Sequence, residues 1–351
     1  MYYQIPLIDQ SALGARASFY VGGDYAEIDG KRVYTGQMFV EAYEPKQRLH
    51  PWPLVMLHGA GQTNMNWLQT PDGRMGWCDY FVSKGYSVVL AEQPSRGRSA
   101  YHPAIEGARG FHPLDIVRQR FTSNEGPWPQ AKLHNQWPEN GSDWDDPTFR
   151  QFAASQVEYL PSNKRSQELM LAAGQELLKA IGPSILLTHS QAGPFGWLLA
   201  DAQPDFVKAV VACEPFGPPF SRDLSNVQAT NYGITELPLH FDPPVSSPAE
   251  LEIELFPAPR EGLVDGWVPK SSTRKLPRLT GIPIMVVTTE ASYHAQYDHL
   301  FSEFFSRLGV SHDFVRLEDL GIHGNSHMLM LERNNLEVAD LILRWLAVKE
   351  L

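Results

Sequence analysis

The chain has 351 residues and a formal net charge of −11, with 43% hydrophobic and 20% charged residues. This length suffices for one large domain with insertions or for two domains. No block of lysine and arginine stands out, which argues against binding to a nucleic-acid backbone. No apolar run reaches the ~18 residues that would span a bilayer.

The cysteines and the N-terminus bear on the cellular compartment. Cys78 and Cys213 lie in apolar segments, so we expect buried free thiols rather than a disulfide framework. A signal peptide has a basic stretch followed by an apolar core, and residues 1–9 do not show this pattern. We therefore expect a cytoplasmic protein, although a signal peptide that had been removed would leave no trace.

The N-terminal part of the chain predicts strands followed by an α/β pattern. Apolar and polar residues alternate over 15–45 around Asp29-Gly30, which predicts an antiparallel hairpin followed by a second strand over 37–43. The apolar run 53–59 predicts a central parallel strand that is covered on both faces. A helix over 77–84, ended by Gly85, and a strand over 86–92 follow.

Two long segments interrupt this pattern. Residues 100–164 and 216–278 are rich in proline, tryptophan and glycine and show weak periodicity. We expect both to be insertions that form a cap, within a single domain that spans 1–351. The tryptophans of residues 128–144 and Trp267 either line a pocket under this cap or pack within its loops.

The rest of the chain alternates strands and helices. Strands are predicted over 185–188, 207–213, 282–288 and 312–317, and helices over 164–181, 195–201, 299–308 and 338–348. This alternation predicts a mostly parallel sheet with helices on both faces, because parallel strands need crossover connections. The antiparallel hairpin fits the edge of that sheet.

Ser190 lies at a tight turn between the strand over 185–188 and the helix that follows it. Such a turn exposes a serine nucleophile, and it usually requires glycine two residues before and two residues after the serine. Ala192 is small enough for this pattern, whereas Thr188 departs from it. Ser190 is the candidate nucleophile for acyl transfer.

Acyl transfer also needs a base, an orienting acid and donors to the oxyanion. His323 and His327 lie in the loop 321–327, where the base is expected. Two glutamates compete for the acid, because Glu214 follows the strand over 207–213 and Glu290, with Asp298 nearby, follows the strand over 282–288. Pro215 restricts the backbone directly after Glu214.

The oxyanion donors are predicted to be backbone N–H groups. One belongs to Gln191, directly after the candidate nucleophile, and the other to Ala60 in the loop His58-Gly-Ala-Gly61. The glycines let this loop approach a substrate closely. Arg96 and Arg98 could bind an anion, but we expect them to be solvated or to bond loop carbonyls.

Taken together, residues 20–350 resemble the α/β-hydrolase superfamily in the order of strands, glycine loop, serine turn, acidic strand end and histidine loop. The chain is most similar to bacterial and fungal serine esterases whose triad acid is a glutamate after the strand that follows the serine. The resemblance implies Glu214 rather than Glu290 as the acid. It also implies His327 as the base, through the segment Gly324-Asn-Ser-His-Met328.

The resemblance implies an α/β-hydrolase fold and a serine esterase that cleaves a small carboxylic ester or lactone without a cofactor. A lactonase or amidase with the same triad, and an inactive fold that serves as a ligand receptor, remain the alternatives. No metal is expected, since the sequence contains neither His-Glu-x-x-His nor a calcium-binding loop. A homodimer is compatible with the sequence.

Overall fold

The structure is a computed structural model, and it describes residues 6–221, 230–270 and 274–351. The strands are β1 (Leu13–Ile28), β2 (Lys31–Pro45), β3 (Leu54–Leu57), β4 (Val88–Glu92), β5 (Ser184–His189), β6 (Val207–Cys213), β7 (Ile253–Phe256), β8 (Gly266–Pro269), β9 (Ile284–Thr288) and β10 (Asp313–Arg316). The helices are α1 (Met65–Leu68), α2 (Trp77–Ser83), α3 (Pro103–Glu106), α4 (Leu114–Val117), α5 (Pro147–Ala154), α6 (Asn163–Ile181), α7 (Gly193–Ala202), α8 (His299–Arg307) and α9 (Asn335–Val348). A π-helical turn (Arg118–Thr122) extends α4, and 3-10 turns cover Pro129–Leu133, Ser190–Ala192, Pro248–Glu250, Tyr293–Gln296 and Leu317–Leu320.

The first two strands form one long antiparallel hairpin at the edge of the sheet. Its two-residue turn is Asp29-Gly30, and both residues have positive φ, which matches the twist of a hairpin. The predicted separate strand over 37–43 is wrong, because these residues continue β2 without a break. Within the described sheet, the outer half of β2 pairs only with β1, whereas residues 39–43 also pair with β4 and are mostly buried.

Eight strands form a single sheet in the order β1-β2-β4-β3-β5-β6-β9-β10. The strands from β4 to β10 in this order run parallel to one another, and only the pairs β1–β2 and β2–β4 are antiparallel. One face of the sheet packs on α6, α7 and α8, and the other packs on α2 and α9. The predicted fold, a mostly parallel sheet with helices on both faces and an antiparallel hairpin, is confirmed.

The two proline-rich segments differ from each other. Residues 100–164 hold only short helices and turns, as their weak periodicity predicts. Residues 216–278 contain a two-stranded antiparallel sheet, β7 with β8, that the sequence did not predict. Four-residue strands flanked by proline and glycine leave too little alternation to detect. That the two segments form a cap on one domain stays a prediction.

The carboxyl ends of three neighbouring strands, β3, β5 and β6, meet at one edge of the sheet. Leu57 of β3 pairs with Thr188 of β5, and His189 pairs with Cys213 of β6. The residues that directly follow these strands therefore lie side by side, which is where open α/β sheets bind ligands. Cys213 and Cys78 are buried free thiols, as predicted.

Among the described residues, no helix combines the length and the apolar character needed to cross a lipid bilayer.

Candidate active site

Ser190 occupies a sharp turn between β5 and α7. Its φ is +53°, in the left-handed region that residues other than glycine rarely adopt. Such strain persists only where the surroundings hold the backbone in place, and it concentrates at functional sites. Here the Ser190 carbonyl accepts a hydrogen bond from Phe216 N at 2.8 Å, and the side chain lines a cavity at the sheet edge.

The Thr188 side chain needs more space than the usual glycine, and a glycine in the helix after Ser190 leaves room for it. A Cβ atom on Gly196 of α7 would lie 3.0 Å from Thr188 Cγ2 and 3.2 Å from Val210 Cγ1. A Cβ atom on Gly193 would clash with Pro215, which follows Glu214. The small residues that the turn needs therefore lie at 192, 193 and 196. The departure at Thr188 is compensated across the strand–helix contact.

The glycine loop after β3 lies directly against the serine turn. A Cβ atom on Gly59 would lie 3.0 Å from Ser190 Cβ and 3.1 Å from His189 Nδ1, so a larger residue here would press on the serine turn. Ala60 and Gln191 both line the cavity beside Ser190. Outside helices and strands, neither backbone N–H group donates to a described backbone carbonyl, which leaves both as candidate donors to a substrate oxygen.

Arg96 supports this loop from inside the protein. Its guanidinium donates to the carbonyls of Gly59 at 3.3 Å and Gln62 at 3.1 Å, and to Gln191 Oε1 at 3.4 Å. Burial, followed by the charge of Arg109, lowers the pKa of Arg96 to about 9. The prediction that Arg96 bonds loop carbonyls is confirmed. These hydrogen bonds hold the loop that carries Ala60 in place.

Arg98 has a different environment, at the end of β4. It pairs with Glu41 at 2.6 Å and Glu92 at 2.9 Å, and its side chain is partly exposed. Both carboxylates are buried, so the positive charge of Arg98 compensates their negative charges at this edge of the sheet. The expectation for Arg98 is corrected in one respect, since it bonds buried carboxylates rather than loop carbonyls.

His327 and Glu214 form a buried pair at the sheet edge. His327 Nδ1 lies 2.7 Å from Glu214 Oε2, and the two side chains are 1% and 0% exposed. Nδ1–H donates to the carboxylate, which leaves Nε2 as the acceptor nitrogen. Glu214 also accepts from Thr289 N at 2.9 Å and Thr289 Oγ1 at 2.5 Å, and from Ser292 Oγ at 2.7 Å. These four donors fix the orientation of the carboxylate.

The competing candidates bond elsewhere. Glu290 Oε1 lies 3.2 Å from Nδ1 of the exposed His323, and Glu290 Oε2 accepts from Gly324 N at 2.8 Å. Asp298 Oδ1 lies 2.9 Å from His294 Nδ1. The structure therefore brings Glu214 to His327, while Glu290 holds the backbone of the histidine loop and Asp298 orients a different ring.

The sequence analysis missed three rings that surround His327. The rings of His294 and Phe121 stack on its imidazole, with centroids 4.8 and 5.2 Å away. Tyr293 Oη lies 3.4 Å from His327 Nε2, and Ser190 is near enough to interact with the same hydroxyl. The only signal for Tyr293 and His294 was the polar and aromatic run 288–294 after β9, and no sequence pattern marked Phe121.

In the described chain, the hydrogen bond at His327 Nε2 comes from Tyr293 and not from Ser190. Bonds between nucleophile and base are often loose before substrate binds, so this geometry is compatible with a triad. Burial, then the neighbouring His294 and Arg120, lower the pKa of His327 below its usual range. The imidazole is therefore neutral at neutral pH and can accept a proton.

His189, directly before the candidate nucleophile Ser190, was also missed. Its Nε2–H donates to the His327 carbonyl at 2.9 Å, which ties the serine turn to the histidine loop. Burial, then His327, lower the pKa of His189 well below its ordinary value, so this ring is neutral as well. Its contribution is to hold two loops together.

Ser190 and His327 open on a cavity of about 290 Å³. Six lining residues come from the segment 100–164: His112, Arg120, Phe121, Tyr159, Pro161 and Asn163. The segment 216–278 contributes Phe216.

Of the described residues that line the cavity, none is a tryptophan. Trp137 packs edge-on against Phe152, and Trp267 packs against the hydrophobic core on the α6–α8 face of the sheet. Trp128 packs against Tyr293, behind the cavity wall. Of the two alternatives, loop packing is therefore correct for these tryptophans.

Glu214, His294 and His327 are also close enough to hold a metal ion, since one ligand atom of each lies within 4.8 Å of the others. Both oxygens of Glu214 already accept two hydrogen bonds each, and His294 Nδ1 bonds Asp298. The hydrogen bonds among these side chains account for the cluster without a metal.

A mostly parallel sheet with a serine at the turn after a central strand is the architecture of α/β-hydrolases. The chain belongs to this family, because the model of the alpha/beta hydrolase family matches residues 54–341.

Known proteins extend this result to nearly the whole chain. The protein is 39% identical over 330 residues to the probable secreted lipase phiG of Fungal sp. (strain ATCC 74256), a match that covers 93% of this chain and 88% of the relative. It also superposes on a novel bacterial esterase, solved at atomic resolution, with a TM-score of 0.65 and 25% identity, covering 98% of both chains. The resemblance to bacterial and fungal esterases is thus confirmed.

Proposed function

We propose that the protein is a serine esterase that hydrolyses a small carboxylic ester through an acyl-enzyme. Ser190 is the nucleophile, His327 the base and Glu214 the acid that orients His327. The observation that carries the proposal is the buried 2.7 Å pair of Glu214 and His327, whose second ring nitrogen faces the cavity that Ser190 lines.

The first half-reaction forms the acyl-enzyme. Ser190 Oγ attacks the ester carbonyl while His327 Nε2 takes its proton, and Glu214 stabilises the imidazolium that results. Tyr293 Oη bonds the same nitrogen, so Ser190 Oγ must replace it as the partner of Nε2. The tetrahedral oxyanion accepts hydrogen bonds from the N–H groups of Ala60 and Gln191. This tetrahedral intermediate collapses when His327 gives its proton to the alkoxide, so the alcohol leaves and the acyl-enzyme remains.

The second half-reaction releases the acid. Water attacks the acyl carbonyl while His327 accepts its proton, and the second intermediate collapses when His327 returns that proton to Ser190 Oγ, which frees the carboxylic acid. The same groups act in both halves, so no further catalytic residue is required.

The size of the site and the relatives support an ester substrate. A cavity of about 290 Å³ suits a short acyl or alcohol group. The relatives are described as a lipase and an esterase, which favours an ester over a lactone or an amide. The name of the fungal relative also describes it as secreted, so secretion competes with the predicted cytoplasmic location.

We also propose that residues 100–164 form the main cap over the site, because they supply six of the residues around the cavity. The segment 216–278 makes a smaller contribution through Phe216 and packs mainly on the sheet core.

The test is labelling of Ser190 together with turnover. A fluorophosphonate probe should attach to Ser190, and p-nitrophenyl esters of short acids should be hydrolysed. Ser190→Ala should abolish labelling and lower kcat by at least ~10⁴-fold without unfolding the protein. Ser306→Ala, on the exposed surface of α8, is the matched control and should change neither.

Two results would contradict the proposal. A folded Ser190→Ala variant that keeps activity would exclude the nucleophile. A folded parent protein that neither labels nor hydrolyses any ester would favour an inactive receptor. Parallel assays with lactones and amides of the same size rank the three bond types.

A further inference from the structure

The π-helical turn at Arg118–Thr122 places two side chains in the active-site cavity. The turn continues α4. π-helical turns are rare in proteins overall, and many of those that occur lie at functional sites. Arg120 and Phe121 are adjacent in the sequence, yet both line the cavity. Phe121 stacks on His327, so the turn brings Arg120 next to the reacting groups.

Arg120 has no counter-charge in the described structure. Its guanidinium lies 5.2 Å from the centroid of the Tyr293 ring, and no described carboxylate or hydrogen-bond acceptor pairs with it. Arg118, two residues earlier, shows the contrast, because it bonds Glu125 at 3.3 Å and the Ser142 carbonyl at 3.1 Å. Arg118 serves the cap structure, whereas Arg120 presents its donors to the cavity.

The surroundings of Arg120 favour an anion from outside the chain. Burial, then Arg120, lower the pKa of His112, so this neighbour in the cavity is neutral at neutral pH. The cavity wall is mixed, with Phe121, Phe216 and Met328 beside the polar Gln62 and Asn163. Arg120 itself is an exposed residue that lines this cavity, so its donors can be reached by an anionic group of a substrate that enters from solvent.

From this geometry we infer that Arg120 binds an anionic group of the substrate, and that the substrates are short esters that carry a carboxylate. The inference rests on the proposed esterase function and names its substrate class. A guanidinium matches a carboxylate through two parallel hydrogen bonds. The ring of Tyr293 lies beside Arg120, and the Tyr293 hydroxyl is 3.4 Å from His327 Nε2. A carboxylate bound to Arg120 is therefore separated from the reacting atoms by about the length of the Tyr293 ring.

The carboxylate can belong to the acid or to the alcohol part of the ester, and matched substrates distinguish the two. Monoethyl glutarate is compared with ethyl pentanoate for the acid part, and acetoxyacetic acid with ethyl acetate for the alcohol part. The wild-type protein should prefer the anionic member of at least one pair in kcat/KM. Added salt should reduce that preference, because it screens the charge of Arg120.

Variants assign the preference to Arg120. Arg120→Gln should lower the ratio of anionic to neutral kcat/KM by about 10- to 100-fold, which is the effect of losing a charge-assisted hydrogen bond. Arg120→Lys keeps the charge without the paired geometry and should give an intermediate ratio. Arg118→Gln, in the same turn, is the matched control and should leave the ratio unchanged.

A binding experiment separates this inference from the esterase proposal. Glutarate should bind the Ser190→Ala variant, and adding Arg120→Gln should abolish that binding, whether or not the protein hydrolyses esters. If Arg120→Gln fails to fold, the Lys variant and competition by glutarate against a neutral ester decide the matter. Equal kcat/KM for both members of each pair, or the same loss on both in Arg120→Gln, would overturn the inference.

Discussion

Two glutamate–histidine pairs lie at neighbouring strand ends and share one histidine loop, yet they are built differently. Glu214 and His327 are fully buried and 2.7 Å apart. Glu290 and His323 are 3.2 Å apart, with the histidine side chain 61% exposed. Residue types and strand positions are the same in both pairs, so they do not decide which pair can act as a catalytic dyad. Burial and the surrounding donors do.

The neighbouring strand end explains the difference. Thr289 and Ser292, which follow β9, donate to Glu214 rather than to Glu290. Glu214 N also donates to Val287 O of β9 at 2.8 Å, which sets the acid at the level of those donors. The end of β9 thus orients the Glu214 carboxylate, which is the proposed acid, and Glu290 holds the histidine loop through Gly324 N.

Substitution of the two histidines gives the largest expected difference between the two pairs. His327→Gln should lower kcat on a neutral ester by about 10⁴-fold, because no base remains to take the proton of Ser190. His323→Gln, in the same loop, should change kcat by less than about threefold, since its ring is mostly exposed. Steady-state kinetics on folded variants checks both values, and a larger loss in His323→Gln would reverse the assignment of the base.

A smaller effect should follow when one donor to the acid is removed. Ser292→Ala deletes the 2.7 Å hydrogen bond to Glu214 Oε2, the oxygen that also bonds His327. We expect kcat to fall by roughly tenfold, the scale of one hydrogen bond to a charged group. Ser302→Ala on α8, whose hydroxyl bonds His312, is the control. An unchanged kcat in Ser292→Ala would mean that the remaining donors suffice.

The pH profile sharpens the contrast further. Burial, then His294 and Arg120, lower the pKa of His327, so the ring stays neutral to below pH 6.5. Activity should therefore persist above that lowered pKa and be lost as the pH falls through it, with the midpoint of kcat/KM below 6.5. Arg120→Gln removes one positive charge and should move the midpoint upward, whereas His323→Gln should leave it in place. A midpoint at or above 6.5 in the parent would contradict the expected lowering of the His327 pKa.

Much of the site could be predicted because its residues follow strand ends. Ser190, Glu214 and the glycine loop come directly after β5, β6 and β3, and parallel strands bring such positions together. The residues that were missed depend on contacts between distant segments. Gly196 makes room for Thr188 only once α7 packs on β5, and Arg120 reaches the cavity only through a π-helical turn. Neither contact leaves a periodic pattern in the sequence.

The tryptophans also show what sequence alone does not predict about the cavity. Trp137 and Trp267 are large and lie in the proline-rich segments, which suggested a pocket wall as readily as loop packing. In the structure they pack against Phe152 and the sheet core, and smaller residues of the segment 100–164 line the cavity. Residue type alone does not show which side of a loop faces a ligand.

The most direct test of the proposed triad is kcat for Glu214→Gln and Glu290→Gln, measured side by side on one neutral ester. Glutamine keeps the shape of either side chain but cannot stabilise a charged imidazole. Glu214→Gln should lower kcat by about 10⁴-fold, and Glu290→Gln should lower it by less than about tenfold through a looser histidine loop. If the larger loss falls on Glu290→Gln while both variants remain folded, the acid follows β9 and the Ser190–His327–Glu214 assignment is wrong.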